Sequence, residues 1–229
     1  MTLETAERWL YKTLQYRFEN SGLFRQALTH RSAAGANNER LEFLGDAILD
    51  FVISDAIYSA RMNASEGDLS KLRSSLVKDS SLAALAADLG IGEYLILGSG
   101  ESKSGGHRRE SILADALEAL FGAIFLDSGI ESARNVIRQV FDARLDSLPD
   151  AAELRDPKTR LQEWLQARGM ALPIYDVAKV TGEAHSQQFE VTCTVSGNDG
   201  VTLGTSTTRR KAEQKAAREM LSILRQGRA

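Results

Sequence analysis

Asn38-Glu39-Arg40-Leu41-Glu42-Phe43-Leu44-Gly45-Asp46-Ala47-Ile48-Leu49-Asp50-Phe51-Val52-Ile53 is the stretch whose reading decides the fold. At about 100° per residue, Glu42 and Asp46 fall on one face of a helix, a turn apart. Leu41, Phe43, Leu44, Ile48, Phe51 and Val52 spread around most of the remaining circumference. A helix that is apolar nearly all round is predicted to lie in a core. There an unpaired carboxylate costs several kcal/mol. The two acids must therefore meet a cation, a metal or a tight hydrogen-bond network.

A second stretch answers the first. In Ser111-Ile112-Leu113-Ala114-Asp115-Ala116-Leu117-Glu118-Ala119-Leu120-Phe121-Gly122-Ala123-Ile124-Phe125-Leu126, Asp115 and Glu118 share a face at i,i+3 spacing in apolar surroundings. Gly45 and Gly122 each cost a helix interior roughly 1 kcal/mol relative to alanine. Keeping both makes sense if the two helices cross closely. Two buried helices, each giving a carboxylate pair, describe an all-oxygen site for a hard divalent cation such as Mg²⁺. The alternative is acids neutralised by arginine, with Arg40, Arg108 and Arg109 at hand. Spacing alone leaves both open.

Outward from these stretches the first part of the chain reads as helices. Residues 5–15 form an amphipathic helix with Leu10 and Leu14 inward, and Ser21 is predicted to cap a second helix running to His30. In isolation His30 reads as a structural or capping histidine. Residues 31–37 break the pattern. A helix then starts at Ser65–Ser70 with Leu69, Leu72, Leu76 and Val77 inward and Lys71, Arg73 and Lys78 outward. Ser80 or Ser81 caps another helix ending at Gly90. Leu95–His107 is a glycine-rich loop, and residues 130–145 make a further amphipathic helix. No strand signal appears before residue 150, so this part is predicted to be all-α.

The 229 residues suit one large or two ordinary domains, and 43% hydrophobic with 26% charged residues is the composition of a globular protein. The start of the chain lacks a secretory pattern, and no apolar run approaches the ~20 residues that cross a bilayer. Cys193 is the only cysteine, which rules out an intrachain disulfide. A cytoplasmic location with no membrane association is expected. The net charge of −3 conceals an asymmetry: residues 1–153 hold 16 Lys+Arg against 23 Asp+Glu, residues 154–229 hold 12 against 8. An acidic module is joined to one that seeks polyanions.

The grammar changes where the charge changes. Domains are placed at 1–147 and 155–226, with 148–154 as linker. Lys158–Arg168 is helical. Ile174–Thr181, Gln188–Ser196 and Val201–Thr207 are strands, joined by Gly-Glu-Ala-His and Gly-Asn-Asp-Gly turns, and Arg209–Leu224 is helical again. Arg209, Arg210 and Lys211 crowd the start of that helix, where the macrodipole disfavours cations. A polyanion at that end explains them, since free N–H groups and basic side chains both bind phosphate.

Asn38–Asp46, with Thr29-His30-Arg31-Ser32 upstream and Lys103-Ser104-Gly105-Gly106 before the second acidic helix, resembles the signature of the ribonuclease III family. The resemblance covers about residues 5–226, and the α-β-β-β-α order of the second part is similar to the double-stranded-RNA-binding domain. It implies a ribonuclease III-like helical endonuclease domain followed by that small α+β domain. It further implies a Mg²⁺-dependent endonuclease of double-stranded RNA, Mn²⁺ being able to substitute. Glu42, Asp46, Asp115 and Glu118 would bind metal, with Asp46 and Glu118 catalytic, and Glu39, Glu66 and Glu101 would support the site or touch RNA. Thr159, Gln162 and Glu163 would meet 2′-hydroxyls, His185 a second minor groove, and Arg209 and Arg210 phosphate. The family often carries a third basic residue where this chain has Glu213, which puts a third phosphate clamp in doubt. A homodimer through the catalytic domain, two-nucleotide 3′ overhangs, and processing of ribosomal RNA precursors, structured messenger RNA and transfer RNA are implied in the same way. Two rivals come from other classes: a non-cleaving RNA-binding regulator and a di-iron helical protein. The latter's paired Glu-x-x-His motifs are missing.

Overall fold

In the computed structural model, which describes residues 2–148, 156–183 and 186–226, the chain divides into two compact units, Met1–Ala151 and Ala152–Ala229. Of the predicted linker, residues 149–154 lie outside the described residues.

The first unit is helical. α1 (Leu3–Leu14) buries Ala6, Leu10 and Leu14, and Thr2 caps it by accepting from Thr5 N. α2 (Ser21–Ala27) is shorter than expected and capped by Asn20, not Ser21: Asn20 Oδ1 accepts from Gly22 N at 3.0 Å. α3 (Glu39–Ala60), α4 (Glu66–Val77) and α5 (Asp79–Asp88) follow. α5 starts earlier than either predicted serine cap, because Lys78 is extended and Asp79 supplies the acid that favours a first turn. After a 3₁₀ turn at Ile91–Tyr94, the glycine-rich loop itself contains short helical turns, Ser99–Lys103 (α6) and a 3₁₀ turn at Gly106–Arg108. Its start forms a single parallel bridge, Thr29 with Ile96.

α7 (Glu110–Asp146) joins what the sequence divides into two helices. They meet at Gly129, whose φ of +78° only glycine adopts cheaply. Just before the kink, Asp127 accepts hydrogen bonds from Tyr16 Oη (2.6 Å), Glu19 N (3.0 Å) and Asn20 N (2.8 Å), tying α7 to the start of α2.

α3 packs along α7 with no room to spare. A Cβ on Gly45 would run into the Glu118 carbonyl oxygen, and one on Gly122 into that of Leu41. The two glycines that looked expensive are thus what lets the acidic helices cross. The expectation that α3 lies wholly in a core is overturned, however. Leu41, Ile48, Leu49, Val52, Ile53, Ala56 and Ile57 are buried, but Phe43 is 80% exposed, Tyr58 72% and Phe51 54%. α7 covers one stripe of the helix and leaves the opposite apolar stripe open. Arg73, predicted to face solvent, is half-buried and pairs with Asp50 (3.7 Å) and Ser54 (3.2 Å).

The second unit has the predicted order: α8 (Pro157–Gln166), a meander of β1 (Ile174–Thr181), β2 (Gln188–Val195) and β3 (Asn198–Ser206), and α9 (Arg209–Gln226). β3 begins earlier than predicted, pairing Asn198 with Val195 and shortening the turn. Both helices cover one face of the sheet around Leu161, Leu165, Cys193, Val195, Ala217 and Met220.

Candidate active site

The α3–α7 crossing brings the two carboxylate pairs face to face. Oxygens of Glu42, Asp115 and Glu118 all lie within 4.8 Å of one another. Asp46, a turn along α3 and more exposed, stands outside that trio but acts on Glu118 as its strongest charged neighbour. Among the described residues none of the four acids forms an ion pair. The arginine alternative therefore fails: Arg109 pairs with Glu101 at 2.8 Å instead. All four carboxyls are pushed above the usual carboxylate range, by burial first and then by acidic neighbours, which are chiefly Asp115 for Glu42, Asp50 for Asp46 and Asp79 for Asp115. For Glu118 burial, then Asp46, Glu42 and Asp115, lift the pKa to about 8. Arg31 and Arg73 oppose the rise from a distance without pairing with any of the four.

A polar pocket of about 510 Å³ opens beside it, lined by Glu42 and Asp115 and by His30, Arg31, Asn38, Glu39, Glu101 and Arg109. Glu39, held by Asn37 Nδ2 at 3.2 Å and near Arg31 at 3.6 Å, and Glu101 thus reach the site. Glu66 does not. It sits at the start of α4 on an apolar pocket of about 380 Å³ with Phe51, Ile57, Tyr58 and Leu69. Two participants escaped the sequence reading. Asp79, at the start of α5, raises both Asp115 and Glu118, and His30 lines the pocket. Neither shares a helix with the acids, so no periodicity announces them.

In the second unit the first turns of α8 and α9 converge. A hollow of about 600 Å³ is lined by Asp156, Lys158, Thr159, Gln162, Arg209, Arg210 and Glu213. Four predicted RNA contacts thus share one surface. Glu163 is exposed but off this hollow, and His185 lies outside the described residues. Glu213 is buried and joins the two helices: Oε1 accepts from Arg209 Nε at 2.9 Å, Oε2 from Lys158 Nζ at 2.5 Å. Burial alone would raise its pKa; these two cations hold it below the ordinary glutamate range. Where a third cation on α9 was in doubt, α8 supplies Lys158.

Residues 20–144 match the family described as Ribonuclease-III-like, and residues 157–224 the double-stranded RNA binding motif. The chain is 54% identical over 217 residues to Ribonuclease 3 of Nitrosococcus oceani, covering 94% of this chain and 93% of that protein. The chain belongs to the ribonuclease III family. Membership makes it an endoribonuclease specific for double-stranded RNA. Ribonuclease 3 of Vibrio cholerae is 51% identical over 218 residues, covering 95% of this chain and 97% of that one. Among solved structures, the nuclease domain of ribonuclease III from Campylobacter jejuni matches with a TM-score of 0.57 at 42% identity, over 59% of this chain and 94% of its own. A second structure of that Campylobacter domain, with a TM-score of 0.57 at 43% identity over 58% of this chain and 95% of its own, is described as flexible in a region involved in dimer formation.

Proposed function

We propose that this ribonuclease III is Mg²⁺-dependent, with Mn²⁺ able to substitute, and hydrolyses phosphodiesters within duplex RNA to leave 5′-phosphates and 3′-hydroxyls with two-nucleotide 3′ overhangs. The observation that carries the reading is the convergence of Glu42, Asp115 and Glu118, none of which forms an ion pair among the described residues. Oxygen-only donors of this charge suit a hard divalent ion. When bound, such an ion supplies Lewis acidity, making water acidic and offsetting charge on the phosphodiester. The chain's part is to hold it through Glu42, Asp115 and Glu118. Asp46, open to solvent beside Glu118, takes the role of aligning water, which makes Asp46 and Glu118 the catalytic pair. Glu39 and Glu101 support the pocket rim.

Cleavage is assigned to residues 1–147 and duplex binding to 155–226, with 148–154 linking them. Thr159 and Gln162 would meet ribose hydroxyls while Arg209, Arg210 and Lys158 face phosphate. Glu163 and His185 complete the contact set. The open apolar stripe of α3, Phe43, Phe51 and Tyr58, beside a pocket of the same character, supports a homodimer through the first unit. Glu66 would then serve from that face. None of the described helices is long and apolar enough to cross a membrane, in keeping with cytoplasmic work on ribosomal RNA precursors, structured messenger RNA and transfer RNA. The test is incubation with a long perfect RNA duplex, with Mg²⁺ or EDTA, and mapping of product ends. Short duplexes with two-nucleotide 3′ overhangs are expected only with the ion; cleavage in EDTA, or of single strands alone, contradicts the reading.

A further inference from the structure

His30 is fixed in position before any ligand arrives. Its backbone N donates to Ile96 O at 3.0 Å, and Ile96 N to Leu28 O at 2.8 Å, so the residue sits at the Thr29–Ile96 bridge. The residue is 9% exposed and lines the acid pocket with Glu42 and Asp115. Ser32 engages Nδ1 twice, its backbone N donating at 3.2 Å and its Oγ lying at 2.8 Å. An N–H can donate only to a nitrogen with a lone pair, so the neutral ring carries its proton on Nε2. Ser32 is itself braced: its Oγ accepts from Gly98 N at 3.0 Å, and Gly98 approaches the Ser32 carbonyl too closely to admit a Cβ.

Orientation and tautomer are therefore both set, and they leave one group unused. Among the described residues Nε2 has no hydrogen-bond partner, yet it is not one of the buried atoms left without one. The atom is therefore accessible on a residue that lines the pocket. No hydrogen bond joins the ring to Asp115, which shares the pocket lining with it. A locked donor facing a site for a polyanion calls for an acceptor that arrives with the substrate.

We propose that His30 is an RNA-contacting residue, donating Nε2–H to a non-bridging phosphate oxygen of duplex RNA seated in the acid pocket. The proposal rests on the reading of that pocket as the cleavage site.

The test compares His30→Asn with His30→Gln in the full chain. Asparagine can present an oxygen where Nδ1 meets Ser32 but has nothing at Nε2, whereas the longer glutamine amide can place an N–H near Nε2. A hydrogen bond to a charged group corresponds to roughly ten- to a hundredfold. His30→Asn is expected to weaken duplex binding in Ca²⁺ and slow single-turnover cleavage by that factor, with the Mg²⁺ concentration for half-maximal rate unchanged. His30→Gln should recover most of the loss. Wild-type behaviour of His30→Asn overturns the proposal. So does a shifted Mg²⁺ requirement with unchanged duplex affinity, because His30 would then act through Asp115. Should His30→Asn melt below the assay temperature, His30→Gln decides alone, and a loss as deep as that of His30→Ala overturns the contact. Wild-type protein that binds duplex without cutting it in Mg²⁺ removes the cleavage reading and leaves the binding comparison to judge His30 by itself.

Discussion

At Glu118, burial and the neighbouring acids push the same way, and a pKa of about 8 against the ordinary 4.5 has a consequence for stability. Between those values the folded carboxyl keeps a proton that the unfolded chain has released. Metal-free stability therefore falls as pH rises across that window, and a cation bound there gains affinity as the proton leaves. Glu118→Gln abolishes this titration. In EDTA the variant is expected to melt a few degrees above wild type at pH 8 and much closer to it at pH 5. A variant that melts lower at both would show that the carboxylate carries no such strain. The acids themselves were legible because i,i+3 and i,i+4 spacing on an apolar helix leaves carboxylates few neutral explanations. Asp79, His30 and Lys158 were not. Each reaches its site from a different element, and the ring of His30 owes its orientation to a serine and a glycine far apart in sequence.

Among the elements, the α3–α7 crossing decides the geometry of the site. Gly45 touches the backbone of Glu118 itself, so a methyl group there forces the helices apart where the carboxylates meet. Gly45→Ala is expected to cost about 1–3 kcal/mol, the usual range for overpacking, and to lower single-turnover cleavage by more than that destabilisation accounts for. Thermal melts and cleavage rates measured side by side check it; an unaffected rate would mean the crossing does not set the site. Helices and strands were readable because hydrophobic periodicity changes from 3.6 to 2 along the chain. Where reading failed, packing had decided. Periodicity cannot say which stripe of an apolar helix its own chain will cover, and a single kinking glycine between two helical patterns looks like a break. In the second unit Glu213 ties α8 to α9 and holds Lys158 beside Arg209. Arg209→Ala with Arg210→Ala is expected to lower the slope of log K against log[salt] by about one unit per lost phosphate contact, alike for duplexes of different sequence. Superimposable titrations would mean these arginines do not hold RNA.

The whole molecule is an acidic catalytic unit joined to one with a basic binding surface, and the charge split alone pointed to that division of labour. An acidic unit needs cations to approach a polyanion, and on the proposed reading a divalent ion and the second unit supply them. The open stripe of α3 bears on assembly. Phe43→Asp places a charge on the most exposed of its rings and is expected to shift the protein toward monomer in sedimentation velocity, with little change in the melting of the first unit. An unchanged sedimentation coefficient would place the self-association surface elsewhere. The central claim is that carboxylates from two crossing helices form the metal-dependent cutting site, and Glu118→Gln tests it most directly. With a long RNA duplex in Mg²⁺, single-turnover cleavage should fall by orders of magnitude while duplex affinity in Ca²⁺ is preserved. A Glu118→Gln protein that cuts near the wild-type rate would contradict the account.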